Sequence, residues 1–203
     1  MKHDDHVRLI EDGVRGAGPQ WLELGAGEGA FTLALADLLG ADGHILASDR
    51  DDRVLRAAAA AVRRRFPATQ LETRAFDFTD AIPYGPFDGV LAANTLHFVK
   101  DRDATLRAIR FSLAPGGRLV IVEYDADHGN PWVPHPFSFA TWRTEAVLAG
   151  YGEPRLIGRV PSRFLGAIYA AVAHAEPDIG QRAGTGPSAP APASAHDTSI
   201  ETS

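Results

Sequence analysis

The sequence predicts a doubly wound α/β fold on a mostly parallel sheet, and three observations carry that expectation. Apolar strand-like runs alternate with amphipathic helical stretches over most of the chain. A glycine-rich turn, Gly25-Ala26-Gly27-Glu28-Gly29, joins the first strand to the helix after it. Two closing strand-like runs, 155–160 and 166–173, are joined by a link too short for a helical crossover, so they are expected to pair antiparallel. At 203 residues the chain fits one ordinary domain with a sizeable core.

Taken in order, Val7, Ile10 and Val14 recur at helical spacing after the capping candidates Asp4 and Asp5, which predicts a short amphipathic helix over 4–14. A strand over 21–24 leads into the glycine turn. In the next helix Phe31, Leu35, Leu38 and Leu39 face a sheet, and Gly40 ends it. A strand at 45–47, an Ala/Arg-rich helix at 53–65 and a strand at 71–75 follow. A strand at 87–92 precedes a helix at 104–113 with Leu106, Ile109 and Leu113 on one face. The turn Pro115-Gly116-Gly117 then opens a strand at 118–123, and a helix spans 139–149. The domain is expected over residues 1–174. Beyond it Gly, Pro, Ala, Ser and Thr dominate with little to bury, which predicts a disordered tail over 175–203.

Composition excludes several function classes. With no cysteine, disulfides, thiolate metal sites, iron–sulfur clusters and attack by a thiolate are ruled out. A formal charge of -6 argues against a nucleic-acid partner. The basic run Arg63-Arg64-Arg65 ends a helix, where cations complement the dipole, and reads as a solvated face. No apolar run is long enough to span a bilayer, and the polar start Met1-Lys2-His3-Asp4-Asp5-His6 lacks the apolar core of a signal peptide, so a cytoplasmic location is expected.

The glycine turn satisfies the relaxed dinucleotide pattern, and such turns commonly receive a phosphate. Glu23, at the tip of the preceding strand, would oppose a pyrophosphate in a low-dielectric cleft. S-adenosylmethionine has the opposite charge there, with a sulfonium, an ammonium and no phosphate, so Glu23 favours it. Asp49, closing the second strand, suits both ribose hydroxyls. Asp77, closing the third, suits the adenine amino group, with Phe78 against the ring. Each Asp taken singly also reads as a turn former or helix cap.

These residues, with the strand Phe87-Asp88-Gly89-Val90-Leu91-Ala92-Ala93-Asn94 and the turn Leu113-Ala114-Pro115-Gly116-Gly117, resemble the class I S-adenosylmethionine-dependent methyltransferases from about Trp21 to Ala173. The resemblance implies a seven-stranded sheet of order 3-2-1-4-5-7-6 with the last strand antiparallel. It also implies that Glu23 and the backbone of Gly25, Ala26, Gly27 and Gly29 meet the methionine moiety, Asp49 the ribose, Arg50 the adenine face, Asp77 with Phe78 the adenine edge, and that Asn94 lies beside the methyl group.

The acceptor is less marked. Methyl transfer needs chiefly positioning, and a base only for a protonated nucleophile. The Pro-Pro-Tyr that follows the fourth strand in many amino-directed relatives is absent; this chain has Asn94-Thr95-Leu96-His97. His97 and His128 are the catalytic candidates, although Leu96-His97-Phe98 also resembles a packing segment of the family. The proline-rich loop 125–137 follows the fifth strand at the ligand edge, and its Trp132, His135 and Phe137 are the expected acceptor contacts. No metal site is expected: His3 and His6 read as a solvated helix start, and metal-dependent relatives carry an acid in place of Asn94. The expected function is methyl transfer to an oxygen or nitrogen nucleophile of a small molecule. Its alternatives are a nicotinamide-dependent oxidoreductase and a non-catalytic adenosylmethionine-binding protein.

Overall fold

A computed structural model describes residues 1–176. Its sheet has seven strands: β1 (Gln20–Leu24), β2 (His44–Asp49), β3 (Gln70–Ala75), β4 (Phe87–Ala93), β5 (Leu113–Tyr124), β6 (Arg155–Ser162) and β7 (Gly166–His174). Their order is β3-β2-β1-β4-β5-β7-β6, with β7 antiparallel to both neighbours, as the sequence and the family resemblance lead one to expect. The helices are α1 (His3–Val14), α2 (Ala30–Leu39), α3 (Asp52–Arg65), α4 (Asp103–Ser112) and α5 (Phe139–Leu148).

Strand alternation divides the core in two. On one face Trp21, Ile45, Leu91, Val120 and Val172 pack under α1, α2 and α3. On the other, Leu22, Leu24, Val90, Ile121 and Ala171 pack under α4 and α5. Side chains such as Trp21, Leu22 and Leu35 are fully buried, each contributing on the order of 1.5–3 kcal/mol. The link from β3 to β4 forms no helix, so part of the second face over β1–β3 stays open. A pocket of about 430 Å³ there lies among Gln20, His44, Gln70 and Phe87, the amino-terminal residues of four strands, and so opposite the glycine turn.

Most element ends shift by one or two residues from the sequence reading, and three differences have a visible cause. β5 begins at Leu113, because Leu113 pairs with Phe87 and the chain then bulges through Pro115-Gly116-Gly117 before pairing resumes at Arg118 with Gly89. Asp5 lies inside α1, where its Oδ2 accepts the Lys2 N–H at 2.8 Å. Ala175 and Glu176, expected in the tail, are held: the Ala175 N–H donates to Gly117 and the Glu176 N–H to Gly150. Residues 177–203, which hold the rest of the expected tail, lie outside the described part.

Candidate active site

The glycine turn is shaped by close approach. Gly25 and Gly29 have φ of +68° and +87°, and a Cβ on Gly25 would stand 2.1 Å from Thr95 Oγ1. At Gly29 it would stand 2.6 Å from the Ala58 methyl, so this glycine seats α2 against α3. The Ala26 N–H donates to Ser48 at 2.7 Å, and the Gly27 N–H to Asp49 Oδ2 at 3.0 Å. Asp49 Oδ1 accepts from Asp51 N–H. Asp49 is thus a brace for the turn, with one lone pair on each oxygen still available.

Glu23 points toward α2 and is 2% exposed. Its Oε2 is buried without a hydrogen-bond partner. Burial pushes its pKa up to about 7, nearby Thr32 opposes the shift, and Asp49 adds to it. Asn94 ends β4 in the left-handed region, φ +53°, and its Oδ1 is likewise buried and unpaired. Two orphaned acceptors flanking one glycine turn suit a ligand that carries cationic or donor groups.

Gly25, Asp49, Arg50, Asp77, Phe78 and Asn94 line one cavity of about 380 Å³. Thr79, Thr95 and Phe98 line it as well and were not foreseen. Asp77 Oδ1 accepts from the Thr79 N–H and hydroxyl, and Arg50 stands 3.5 Å from Oδ2; these partners hold its carboxyl below the usual range, the Thr79 bonds foremost. Asp77 is therefore a turn former and a wall of the cavity at once.

The far wall rests on a residue that the sequence did not single out. Glu123, fully buried at the end of β5, accepts through Oε1 from the N–H groups of Thr95, Leu96 and His97. Its Oε2 lies 2.7 Å from His97 Nδ1. This carboxylate fixes the single helical turn Leu96–Phe98 that carries the cavity wall. Only an acid late in the strand hinted at it, because its partners lie on another strand's loop. Arg102 is a second such residue. It grips Glu145 with two bonds, donates to the carbonyls of Val99 and His135, and lies 4.1 Å above the Phe137 ring.

The loop 125–137 does reach this edge, since the His135 N–H donates to the His97 carbonyl at 3.0 Å. Its residues differ in where they point. Phe137 is 0% exposed and packs on Trp142 and Tyr169, so it is core and cannot touch an acceptor. His128 is exposed and does not line the cavity. His135 is tied through its backbone to His97 and Arg102. Trp132 is 73% exposed. Asp125 and Asp127 accept from the first amides of the α5 region, Phe139 and Ser138. His3 pairs with Asp37.

A family model described as a methyltransferase domain matches residues 22–119, the stretch that builds this cavity. Over that stretch the chain is similar to the methyltransferases that its motifs resemble. The chain is 32% identical over 117 residues to a ubiquinone/menaquinone biosynthesis C-methyltransferase of Pasteurella multocida, covering 55% of this chain and 42% of that protein. It is 33% identical over 150 residues to the O-methyltransferase cnsE of Penicillium expansum, covering 70% and 48%. The chain thus spans about half the length of the curated relatives it matches. In fold it resembles the magnesium protoporphyrin IX methyltransferase of Synechocystis, solved with bound S-adenosylmethionine, with a TM-score of 0.65, 20% identity, and coverage of 86% and 78%. Among the described residues no helix is long and apolar enough to cross a membrane.

Proposed function

We propose that this domain transfers a methyl group to an oxygen or nitrogen nucleophile of a small-molecule acceptor. The observation that carries the reading is the buried, unpartnered Glu23 Oε2 beside the glycine turn, an arrangement that favours a cation and disfavours a pyrophosphate. When bound, S-adenosylmethionine supplies a methyl group activated by a sulfonium leaving group. Glu23 would meet the ammonium, Asp49 the ribose hydroxyls, Arg50, Asp77 and Phe78 the adenine, and Asn94 Oδ1 the space beside the methyl. His97 is the candidate base: Glu123 holds Nδ1, which leaves Nε2 as the ring's accepting atom. His128 is not part of this constellation. A carbon acceptor is the second reading, favoured by the likeness to a C-methyltransferase. A cytoplasmic site of action belongs to the same proposal.

Calorimetry with S-adenosylhomocysteine and with NAD tests it. Binding of the first and not the second is expected, and tight NAD binding with none of the first would overturn it. Asp49→Ala should weaken S-adenosylhomocysteine by about 2–4 kcal/mol, since two charge-assisted bonds and the brace on Gly27 go together.

A further inference from the structure

We propose that a row of aromatic side chains running from the cofactor cavity, Phe98, Tyr124, Phe164 and Trp132, binds the methyl acceptor, and that the acceptor is a flat, hydroxylated aromatic molecule. The inference rests on the methyltransferase reading above and names the acceptor class for that same site. Phe98 begins the row: it lines the cofactor cavity and is 56% exposed, so one ring belongs to both surfaces. The His97 ring lies 4.4 Å from Phe98 and 6.0 Å from Tyr124. Tyr124 stands 5.8 Å from Phe164, and Phe164 6.3 Å from Trp132 at 73°. These are the spacings at which rings attract one another edge-on or tilted.

Four separate stretches contribute, from the turn after β4, the end of β5, the loop before α5 and the β6–β7 turn. None of them brings its ring there to fill the core. Phe98, Phe164 and Trp132 are all exposed, which leaves apolar surface in water at both ends of the row, with the buried His97 ring bridging Phe98 to Tyr124. Exposure alone does not single out the row, since Tyr84 and Phe111 are exposed as well. They flank a pocket with Ile82 and Ala108 away from the glycine turn, and no ring chain links them to the cofactor cavity. Asp125, beside the row, is already paired with Arg159 at 2.7 Å. One polar group punctuates the exposed rings, the Tyr124 hydroxyl, so an occupant with an aromatic face and a ring hydroxyl matches both the rings and that group.

Calorimetry on the full chain, first with S-adenosylhomocysteine and then with 2-naphthol added to the loaded protein, separates the outcomes. The expected result is saturable 2-naphthol binding that Phe164→Ala and Trp132→Ala each weaken at least fivefold, with S-adenosylhomocysteine affinity held within twofold. Trp132 gives an independent readout, because Trp21 and Trp142 are fully buried and acrylamide quenching therefore reports Trp132, which 2-naphthol should shield. Tight S-adenosylhomocysteine binding without 2-naphthol binding would overturn the acceptor assignment and leave the methyltransferase reading intact. Equal weakening by Tyr84→Ala would show unspecific adhesion and overturn it too. Failure to bind S-adenosylhomocysteine would remove both readings.

Discussion

The two halves of the ligand edge are built differently. At the ends of β2 and β3 the half proposed for the cofactor uses acids whose partners are close in sequence or beside the adjacent strand: Asp49 braces Gly27 and Asp51, and Asp77 holds Thr79. The half proposed for the acceptor, beyond β4 and β5, uses rings and a buried carboxylate whose partners come from distant loops. The difference teaches that charge at a strand end is a local signal, whereas a surface made by several loops exists only once the sheet order has brought them together.

Breaking the joint between the halves should have the largest effect. Glu123→Leu would leave three amides and the His97 ring without their acceptor in a fully buried site, and should cost about 3–5 kcal/mol in urea unfolding. Glu123→Gln keeps one acceptor oxygen and should cost clearly less. A similar loss for both would mean the turn does not depend on the charge.

Phe137 and Trp132, five residues apart in one loop, sharpen the contrast. Phe137→Ala should destabilise by about 3–5 kcal/mol, as expected of an emptied core position, whereas Trp132→Ala should change stability by under about 0.5 kcal/mol. Equal effects would put Trp132 in the core or Phe137 outside it.

On the cofactor side the test is pH. Glu23 titrates near 7 in the folded protein against an ordinary 4.5, so the native state holds the extra proton between those values. Stability from this group is therefore full below about 4.5 and falls by roughly 3 kcal/mol as pH rises through 7. Glu23→Gln should flatten that slope. A cationic ligand favours the charged carboxylate, so S-adenosylhomocysteine binding at pH 6 should release protons, measured as a dependence of binding heat on buffer ionisation enthalpy, and the variant should release none. The smallest effect belongs to His128→Ala, expected to leave turnover within twofold on any confirmed acceptor, because an exposed side chain outside the cavity has nothing to contribute there.

What the sequence made legible follows the same division. Strand-helix alternation and the short β6–β7 link foretold the sheet, and the charge argument at Glu23 set the ligand expectation before any geometry was known. Phe137 went astray because an aromatic residue in a proline-rich loop reads the same whether it turns outward like Trp132 or inward onto Tyr169. Glu123 and Arg102 were passed over since each acts on backbone groups that are distant in sequence and carry no side-chain pattern. Phe164 sits in a tight turn where nothing local marks it as part of a longer row.

The strand order β5-β7-β6 also constrains how the chain assembles as it is made. The strands that carry the cofactor residues can pair with one another while the last fifty or so residues are still unmade. Until β7 arrives, β5 is an open edge, with the backbone groups that later meet residues 168–174 unpaired and Leu119 and Ile121 incompletely covered. A nascent chain paused before residue 166 would thus hold a formed glycine turn next to an adhesive strand. The final hairpin covers that edge and moves the open side of the sheet out to β6.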